Sequence, residues 1–326
     1  MTKGGRIPEL DLLRGVAIFG VLVLHSSFEG RFAKETMAVQ AIMARFFDWA
    51  VLAFFFSSGF LHDRSAPFAI TLKKRIVSLL VPFFLYNMFY NLCFFGIESM
   101  GWPHAVVLEI DSKSLGAILF RSPAFQLYFL PYLFMISVGV SGLEKLCRRF
   151  YKLGYFSIFV LILIFYLNQG YPEMSHGSDY NNLPMYLAMF LIGLASRPFF
   201  EKSFDKLWMI LAALCVVLSI LVIFKFCVVS LLMPPLLLAL AGGFPVIRRL
   251  KPLFCMGEMS GSIYLWHTPL ILPAISRLLT YCGIPSLLNL LGSLILTLII
   301  CMLLRLGLDA LFVMMIKKNA PKYITL

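Results

Sequence analysis

Charged side chains are scarce in this chain: they make up 13% of the residues, whereas hydrophobic residues make up 60%. A soluble globular domain carries about 25% charged residues. This shortage excludes an ordinary soluble protein, and the mean hydropathy of +0.89 agrees with it. The sequence also has no polar stretch in which Lys or Arg alternates with aromatic residues, so the net charge of +12 does not indicate nucleic-acid binding. We therefore predict a polytopic membrane protein and no nucleic-acid partner.

Other absences narrow the chemistry. The seven cysteines are scattered, mostly in apolar runs, and form no CxxC pair, which favours packing residues over disulfides. His, Cys and carboxylates are nowhere grouped at metal-ligand spacing, so we predict no metal and no bound cofactor. No internal repeat is visible, and the longest segment outside the predicted spans is 98–124. We therefore predict that the helices themselves perform any chemistry, as one domain over 1–326.

Long apolar runs are what the chain does contain. A helix needs about 20 apolar residues to cross a bilayer. The predicted fold is all-α, a bundle of about ten transmembrane helices in a cell inner (plasma) membrane. The predicted spans are 10–28, 46–62, 76–97, 125–143, 153–169, 182–197, 207–224, 228–246, 258–276 and 287–307.

The distribution of Lys and Arg predicts the orientation. With the N-terminus in the cytoplasm, nineteen of the 28 Lys and Arg residues fall in cytoplasmic segments and seven in external ones. Cytoplasmic loops of membrane proteins are enriched in these residues. Both termini are therefore predicted to be cytoplasmic.

The first predicted helix, within 6–28, carries Asp11, Arg14 and His25. Charged groups at membrane depth are costly and often mark a functional path. Eleven residues separate Arg14 from His25, which returns to within about 20° of the same helix face, about 16 Å further along the axis. Asp11 lies one turn before Arg14 and can pair with it. The alternative is that Asp11 and Arg14 anchor the helix at the interface and that His25 is a hydrogen-bonded bundle residue.

Two further stretches admit a structural and a functional interpretation. The sequence AFFFSSGFL places Ser57, Ser58 and Gly59 at the end of the second span, where small residues by themselves favour close helix packing. The sequence KKRIVSLLVPFF, from 73 to 84, begins with three cations and includes Pro82, which can kink a helix. These cations are either an ordinary cytoplasmic anchor or a contact for the phosphates of a nucleotide-like donor.

A last stretch, GEMSGSIYLWHTPL from 257 to 270, is unusually polar for a span, with Tyr264 and His267 among its side chains. Taken in order, these segments resemble the membrane-bound acyltransferase-3 family, which includes bacterial O-acetyltransferases of surface glycans. The matching pieces are DLLRG with the Arg-x10-His spacing, FFFSSGF, KKRIVSLLVPFF, YFLPYLF, FLIG and SIYLWHTPL. The chain departs from many relatives at Ser78, where they have a second Arg, and at Tyr128, where they have Trp.

The resemblance implies an integral membrane O-acyltransferase that uses acetyl-CoA, or another acyl-CoA, as donor substrate. The implied acceptor is a sugar hydroxyl of a cell-surface polysaccharide or lipid-linked glycan. It implies that His25 is the essential catalytic residue, with Arg14 as its partner on the first helix. Arg14, Lys74 and Arg75 would bind the donor. The remaining site-lining residues would be Asp11, Ser57, Ser58, Gly59, Tyr264 and His267.

Two other classes of function stay open on the residues alone. A transporter or flippase for a lipid-linked sugar would also use intramembrane His and Arg. A purely structural or channel-like bundle would leave Asp11, Arg14 and His25 unexplained.

Overall fold

The structure, a computed structural model, describes residues 7–26, 34–99, 124–146, 183–201, 226–243 and 250–319. Within these ranges all regular structure is helical and no strand occurs, so the all-α prediction is confirmed for this part of the chain. The predicted spans 153–169 and 207–224 lie outside the described residues.

The described helices follow the apolar runs of the sequence. The first five are α1 (Pro8–Ser26), α2 (Lys34–Phe46), α3 (Ala50–Phe60), α4 (Phe68–Arg75) and α5 (Val81–Ser99). The middle three are α6 (Phe129–Leu146), α7 (Leu183–Glu201) and α8 (Phe226–Gly243). The last four are α9 (Lys251–Glu258), α10 (Ser260–Trp266), α11 (Leu272–Tyr281) and α12 (Ser286–Asn319).

Four helical stretches in the described part are long and apolar enough to cross a membrane. They are Thr36–Phe60, Phe68–Ile97, Gln126–Leu146 and Ser286–Leu308. The protein is therefore a membrane protein with several candidate spans, as the composition predicted. The number ten and the cytoplasmic termini remain predictions. α1 is not among the four because Glu9, Asp11 and Arg14 shorten its apolar run.

The two faces of α12 differ in exposure although both are apolar. One face is buried and includes Leu290, Leu294 and Cys301, each at most 1% exposed. The other face is apolar as well but exposed, and its side chains recur every four residues: Leu287, Leu291, Ile295, Ile299 and Leu303. A contiguous exposed apolar face of this length is unfavourable in water and suits contact with acyl chains.

By internal contacts the chain divides into two compact units. The first comprises Met1–Leu13 and Trp49–Arg249, and the second comprises Arg14–Asp48 and Leu250–Leu326. The prediction of one domain over 1–326 remains a prediction.

The first unit is built on the crossing of α3 and α7. A Cβ atom added at Gly59 would lie 1.9 Å from the carbonyl oxygen of Phe190, and one added at Gly193 would lie 2.0 Å from that of Phe56. Glycines let two helix backbones approach this closely, which no larger residue permits. Gly59 therefore has a packing role, and the FLIG segment of α7 supplies the reciprocal glycine. Fully buried aromatic side chains of this unit include Trp49, Phe55, Phe56, Phe60, Tyr90 and Phe190.

The basic segment 73–75 lies inside a helix rather than before one. α4 and α5 are joined by a π-helical turn, Ile76–Leu80, in which the Val81 N–H donates to the carbonyl of Ile76. Pro82 follows directly, and because proline has no N–H it cannot complete the regular hydrogen-bond ladder. The predicted kink therefore takes the form of a widened turn, the usual form of such an irregularity.

A buried carboxylate joins the ends of three helices in the same unit. Glu144 of α6 accepts a hydrogen bond from Nε2 of His62 at 3.1 Å and pairs with Nε of Arg64 at 3.4 Å. Nη1 of Arg197, on α7, donates to the backbone carbonyl of His62 at 3.2 Å. His62 and Glu144 are 2% and 9% exposed, so this pair is almost completely removed from water.

We expect Glu144→Gln to lower the free energy of unfolding by about 1–3 kcal/mol, because the new amide turns a donor toward groups that are themselves donors. Thermal unfolding in detergent micelles measures the effect. Glu258→Gln makes the same chemical change at an exposed carboxylate and is the matched control. Equal midpoints for the two variants would contradict a structural role for Glu144.

In the second unit, α11 and α12 form a hairpin with polar hydrogen bonds inside it. Gly283 has φ +73°, and the N–H groups of Gly283 and Ile284 donate to the carbonyls of Thr280 and Leu279. This is the Schellman pattern that ends a helix with a left-handed glycine. Nδ2 of the buried Asn289 donates across the hairpin to the carbonyl of Ser276 at 3.0 Å and to Oγ1 of Thr280 at 2.8 Å.

Among the predicted spans that the structure describes, 258–276 differs most from expectation. It is divided among α9, α10, a π-helical turn over His267–Ile271, and α11. Thr268 within that turn has an extended backbone, with φ −136° and ψ 154°. The residue before a proline is driven out of the helical region, and Pro269 follows. Hydropathy alone indicated a continuous run, whereas Thr268, held extended by Pro269, breaks it directly after His267.

Candidate active site

α1 presents a histidine close to its C-terminal end. The helix is unbroken from Pro8 to Ser26, so the predicted offset of about 20° between Arg14 and His25 holds along it. The carbonyl of Val23 next to His25 accepts hydrogen bonds from Oγ of Ser26 at 2.7 Å and from Nε2 of Gln40 at 3.1 Å. α2 thus holds the end of α1 that carries His25.

His25 meets a second histidine, His267, at the end of α10. Nδ1 of His25 lies 2.7 Å from Nε2 of His267, and the two ring planes are parallel to within 6°. Ring faces in van der Waals contact are separated by about 3.5 Å, and the two nitrogens are closer than that. The rings therefore meet edge to edge through a hydrogen bond. His267 is 0% exposed, whereas His25 is partly exposed.

The end of α10 holds the His267 ring in place. Its Nδ1 lies 3.0 Å from the carbonyl oxygen of Ile263 and 2.9 Å from that of Tyr264. The break at Thr268 ends α10 there, and the carbonyl of Ile263 accepts from the backbone N–H of His267 as well as facing its ring. The side chain of His267 therefore caps its own helix. The ring of Tyr264 lies beside it, with centroids 6.0 Å apart.

A close backbone contact holds α1 against α9, which leads into α10. A Cβ atom added at Gly15 would lie 1.9 Å from the carbonyl oxygen of Leu253 and 3.2 Å from the backbone nitrogen of Gly257. Gly15 is the glycine of the DLLRG motif, whose role the sequence did not reveal. The motif places this contact one residue after Arg14.

The structure thus brings together three of the predicted site residues, His25, Tyr264 and His267, within the second unit, to which Arg14 also belongs. The other predicted residues belong to the first unit: Asp11, Ser57, Ser58, Gly59, Lys74 and Arg75. Asp11, Ser57 and Ser58 are buried, Lys74 is exposed, and Arg75 is intermediate. Oγ of Ser57 has no hydrogen-bond partner among the described residues. The roles predicted for these residues remain predictions.

Sequence reasoning missed three residues that shape the helix contacts of the structure, Gly15 in the second unit and Gly193 and Glu144 in the first. Gly15 and Gly193 stood inside quoted motifs, but their packing partners are far along the chain. Glu144 stood one residue beyond a predicted span, and a carboxylate there next to Lys145 looked like an ordinary helix end. These residues could have been found from one signal in the sequence: each is a small or acidic residue at a position where a lipid-facing helix would carry an apolar one.

Comparison with known proteins adds the family. A family model described as an acyltransferase domain, acyltransferase-3, matches residues 7–306, which is most of the 326 residues. No curated protein and no solved structure matches. The matched range includes both histidines of the pair and every other predicted site residue, and it confirms the resemblance drawn from the motifs. The chain belongs to the acyltransferase-3 family.

Proposed function

We propose that this protein is an integral membrane O-acyltransferase that moves an acetyl group from acetyl-CoA to a sugar hydroxyl. The acceptor in this proposal is a cell-surface polysaccharide or a lipid-linked glycan at a cell inner membrane. Family membership supports the reaction type, which is acyl transfer. The identities of the donor, the acceptor and the membrane are proposed here.

The observation that carries the proposal is the hydrogen bond between His25 and His267 at 2.7 Å. Transfer of an acyl group to a hydroxyl requires a base that removes the hydroxyl proton. A partly exposed imidazole, held by a second buried ring, suits that task because histidine changes protonation near neutral pH. His25 lies on an apolar helix. Exclusion of water from such a site protects the thioester donor from hydrolysis.

In the proposed reaction His25 acts directly on the acceptor. As the hydroxyl oxygen forms a bond to the thioester carbonyl carbon, its proton moves to His25. Collapse of the tetrahedral intermediate breaks the carbon–sulfur bond, and His25 returns the proton to the leaving thiolate. A relay through an acyl-histidine would use the same residue as nucleophile, and we favour direct transfer.

The negative charge of the intermediate requires a hydrogen-bond donor. Ser57, Ser58 and Tyr264 have suitable hydroxyl groups and are proposed candidates for this role. For the donor, Arg14, Lys74 and Arg75 are the proposed contacts, because guanidinium and ammonium groups bind phosphates well.

The transporter alternative has less support. It accounts for intramembrane His and Arg, but family membership favours group transfer over transport. No geometric feature of the described residues speaks for transport.

The test is transfer of radiolabel from acetyl-CoA to a glycan fraction by membranes that contain the protein. Membranes from the same cells without the protein are the control. We expect labelled glycan only when the protein is present, and parallel reactions with succinyl-CoA identify the acyl group. If no acyl-CoA is consumed above the control with any glycan fraction, the proposed function is wrong and transport of the unlabelled lipid-linked sugar becomes the next assay.

A further inference from the structure

We propose that His267 is a positioning residue that sets the tautomer of His25, so that Nε2 of His25 is the nitrogen that takes the hydroxyl proton. This inference rests on the proposed function for its role in the reaction. The hydrogen bonds that carry it are independent of that function.

The first step concerns the proton on His267. Its Nδ1 faces two backbone carbonyl oxygens, of Ile263 and Tyr264, at 3.0 and 2.9 Å. A carbonyl oxygen can only accept a hydrogen bond, so Nδ1 of His267 must carry a hydrogen. This donor is shared between the two oxygens, as is common at helix ends.

The second step concerns the other nitrogen of His267. A ring that is 0% exposed strongly favours the neutral form, because burial of a charge is costly. A neutral imidazole with hydrogen on Nδ1 has a lone pair on Nε2. Nε2 of His267 is therefore the acceptor in the 2.7 Å contact with His25.

The third step passes the assignment to His25. Because Nε2 of His267 accepts, Nδ1 of His25 must donate and must carry the hydrogen of that ring. The lone pair of neutral His25 then lies on Nε2. In the other tautomer Nε2 of His25 carries the hydrogen. That nitrogen then has no lone pair with which to remove the proton of the substrate hydroxyl group.

The same hydrogen bond assists the reaction once the proton has moved. Imidazolium forms on His25, and the lone pair of His267 then accepts from a charged donor, which is a stronger hydrogen bond than the neutral one. An orienting partner of this kind acts on the base and not on the substrate, as the third member of a catalytic triad does.

The chain offers a set of substitutions that separate the two nitrogens of His267. His267→Gln places an amide oxygen near the position of Nε2, so it can still accept from Nδ1 of His25. His267→Asn places its amide near the position of Nδ1, so it can still donate to the carbonyls of Ile263 and Tyr264 but offers no acceptor to His25. His267→Ala removes both.

We expect His267→Asn and His267→Ala to lower kcat by about 10- to 100-fold with KM for donor and acceptor nearly unchanged. His267→Gln should stay within about fivefold of the wild type. A merely structural role predicts the opposite order, with Asn tolerated because it keeps the cap of α10. Thermal unfolding midpoints of all variants identify any that are simply unstable.

A second measurement needs no activity. Nitrogen NMR of the full chain, labelled at its five histidines and placed in lipid nanodiscs, distinguishes the two neutral tautomers. The His25 signals are those lost in His25→Ala. We expect hydrogen on Nδ1 of His25 in the wild type, and hydrogen on Nε2 instead would overturn the inference.

The outcomes keep this inference apart from the proposed function. Transfer by the wild type with His267→Asn as active as His267→Gln would overturn the role of His267 and leave the proposed function standing. Absence of transfer by the wild type would overturn the proposed function and the positioning role of His267 in the reaction together. In that case the NMR result still decides whether His267 sets the tautomer.

Discussion

His25→Ala is expected to lower the rate of acyl transfer by about 10²- to 10⁴-fold, because general-base catalysis contributes that much when the base is well placed. The loss should appear in kcat, with KM for the donor nearly unchanged. His25 is only partly buried and alanine favours the helical conformation, so we expect α1 to stay folded. Label transferred from acetyl-CoA to glycan, at matched protein levels, measures the change.

Arg14 gives the contrasting kinetic result in the same assay. As a proposed donor contact it should affect KM for acyl-CoA, so Arg14→Ala should raise that KM while Arg14→Lys, which keeps the charge, should raise it less. A His25→Ala variant that labels glycan as fast as the wild type would show that another group is the base. A loss in both variants that disappears once protein levels are matched would point to folding rather than chemistry.

The sequence predicted the residues of the candidate site better than their arrangement. Polar groups on an apolar helix marked His25, and motif order marked His267, yet 242 residues separate the two in the chain. Helix periodicity relates only residues that are close in the sequence, so it could not predict that His25 and His267 are in contact. Their hydrogen bond depends on how α10 ends, and that in turn depends on Pro269, which the hydropathy of 258–276 concealed.

The helices themselves were predictable because apolar runs of sufficient length must form helices in a membrane. Their irregularities were only partly so. Pro82 indicated a kink, but not that the chain would widen into a π-helical turn over Ile76–Leu80. In the SSG segment, Gly59 makes the close packing contact that small residues favour, whereas its partner, Phe190 on α7, could not be identified from within α3.

That crossing leads to the second large expected effect, on stability rather than on chemistry. Gly59→Ala would place a methyl group 1.9 Å from the carbonyl oxygen of Phe190. The obstacle is helix backbone and not the end of a flexible side chain, so α3 and α7 must separate. Between apolar helices in a membrane, close packing is a main source of association, because lipid is as apolar as the side chains. We expect a loss of about 1–3 kcal/mol or more, seen as early thermal unfolding or aggregation in detergent.

Gly193→Ala tests the same crossing from the other helix, since its methyl group would lie 2.0 Å from the carbonyl oxygen of Phe56. The two substitutions should be less than additive, because the first already separates the helices that the second would separate. Gly139→Ala on α6 is the matched control: nothing lies within 4 Å of the added atom, and alanine favours the helix by about 1 kcal/mol. If Gly59→Ala unfolds at the same temperature as Gly139→Ala, the two backbones do not approach as closely as the structure places them. If the double variant loses the full sum of the single losses, Gly59 and Gly193 act at separate contacts rather than at one crossing.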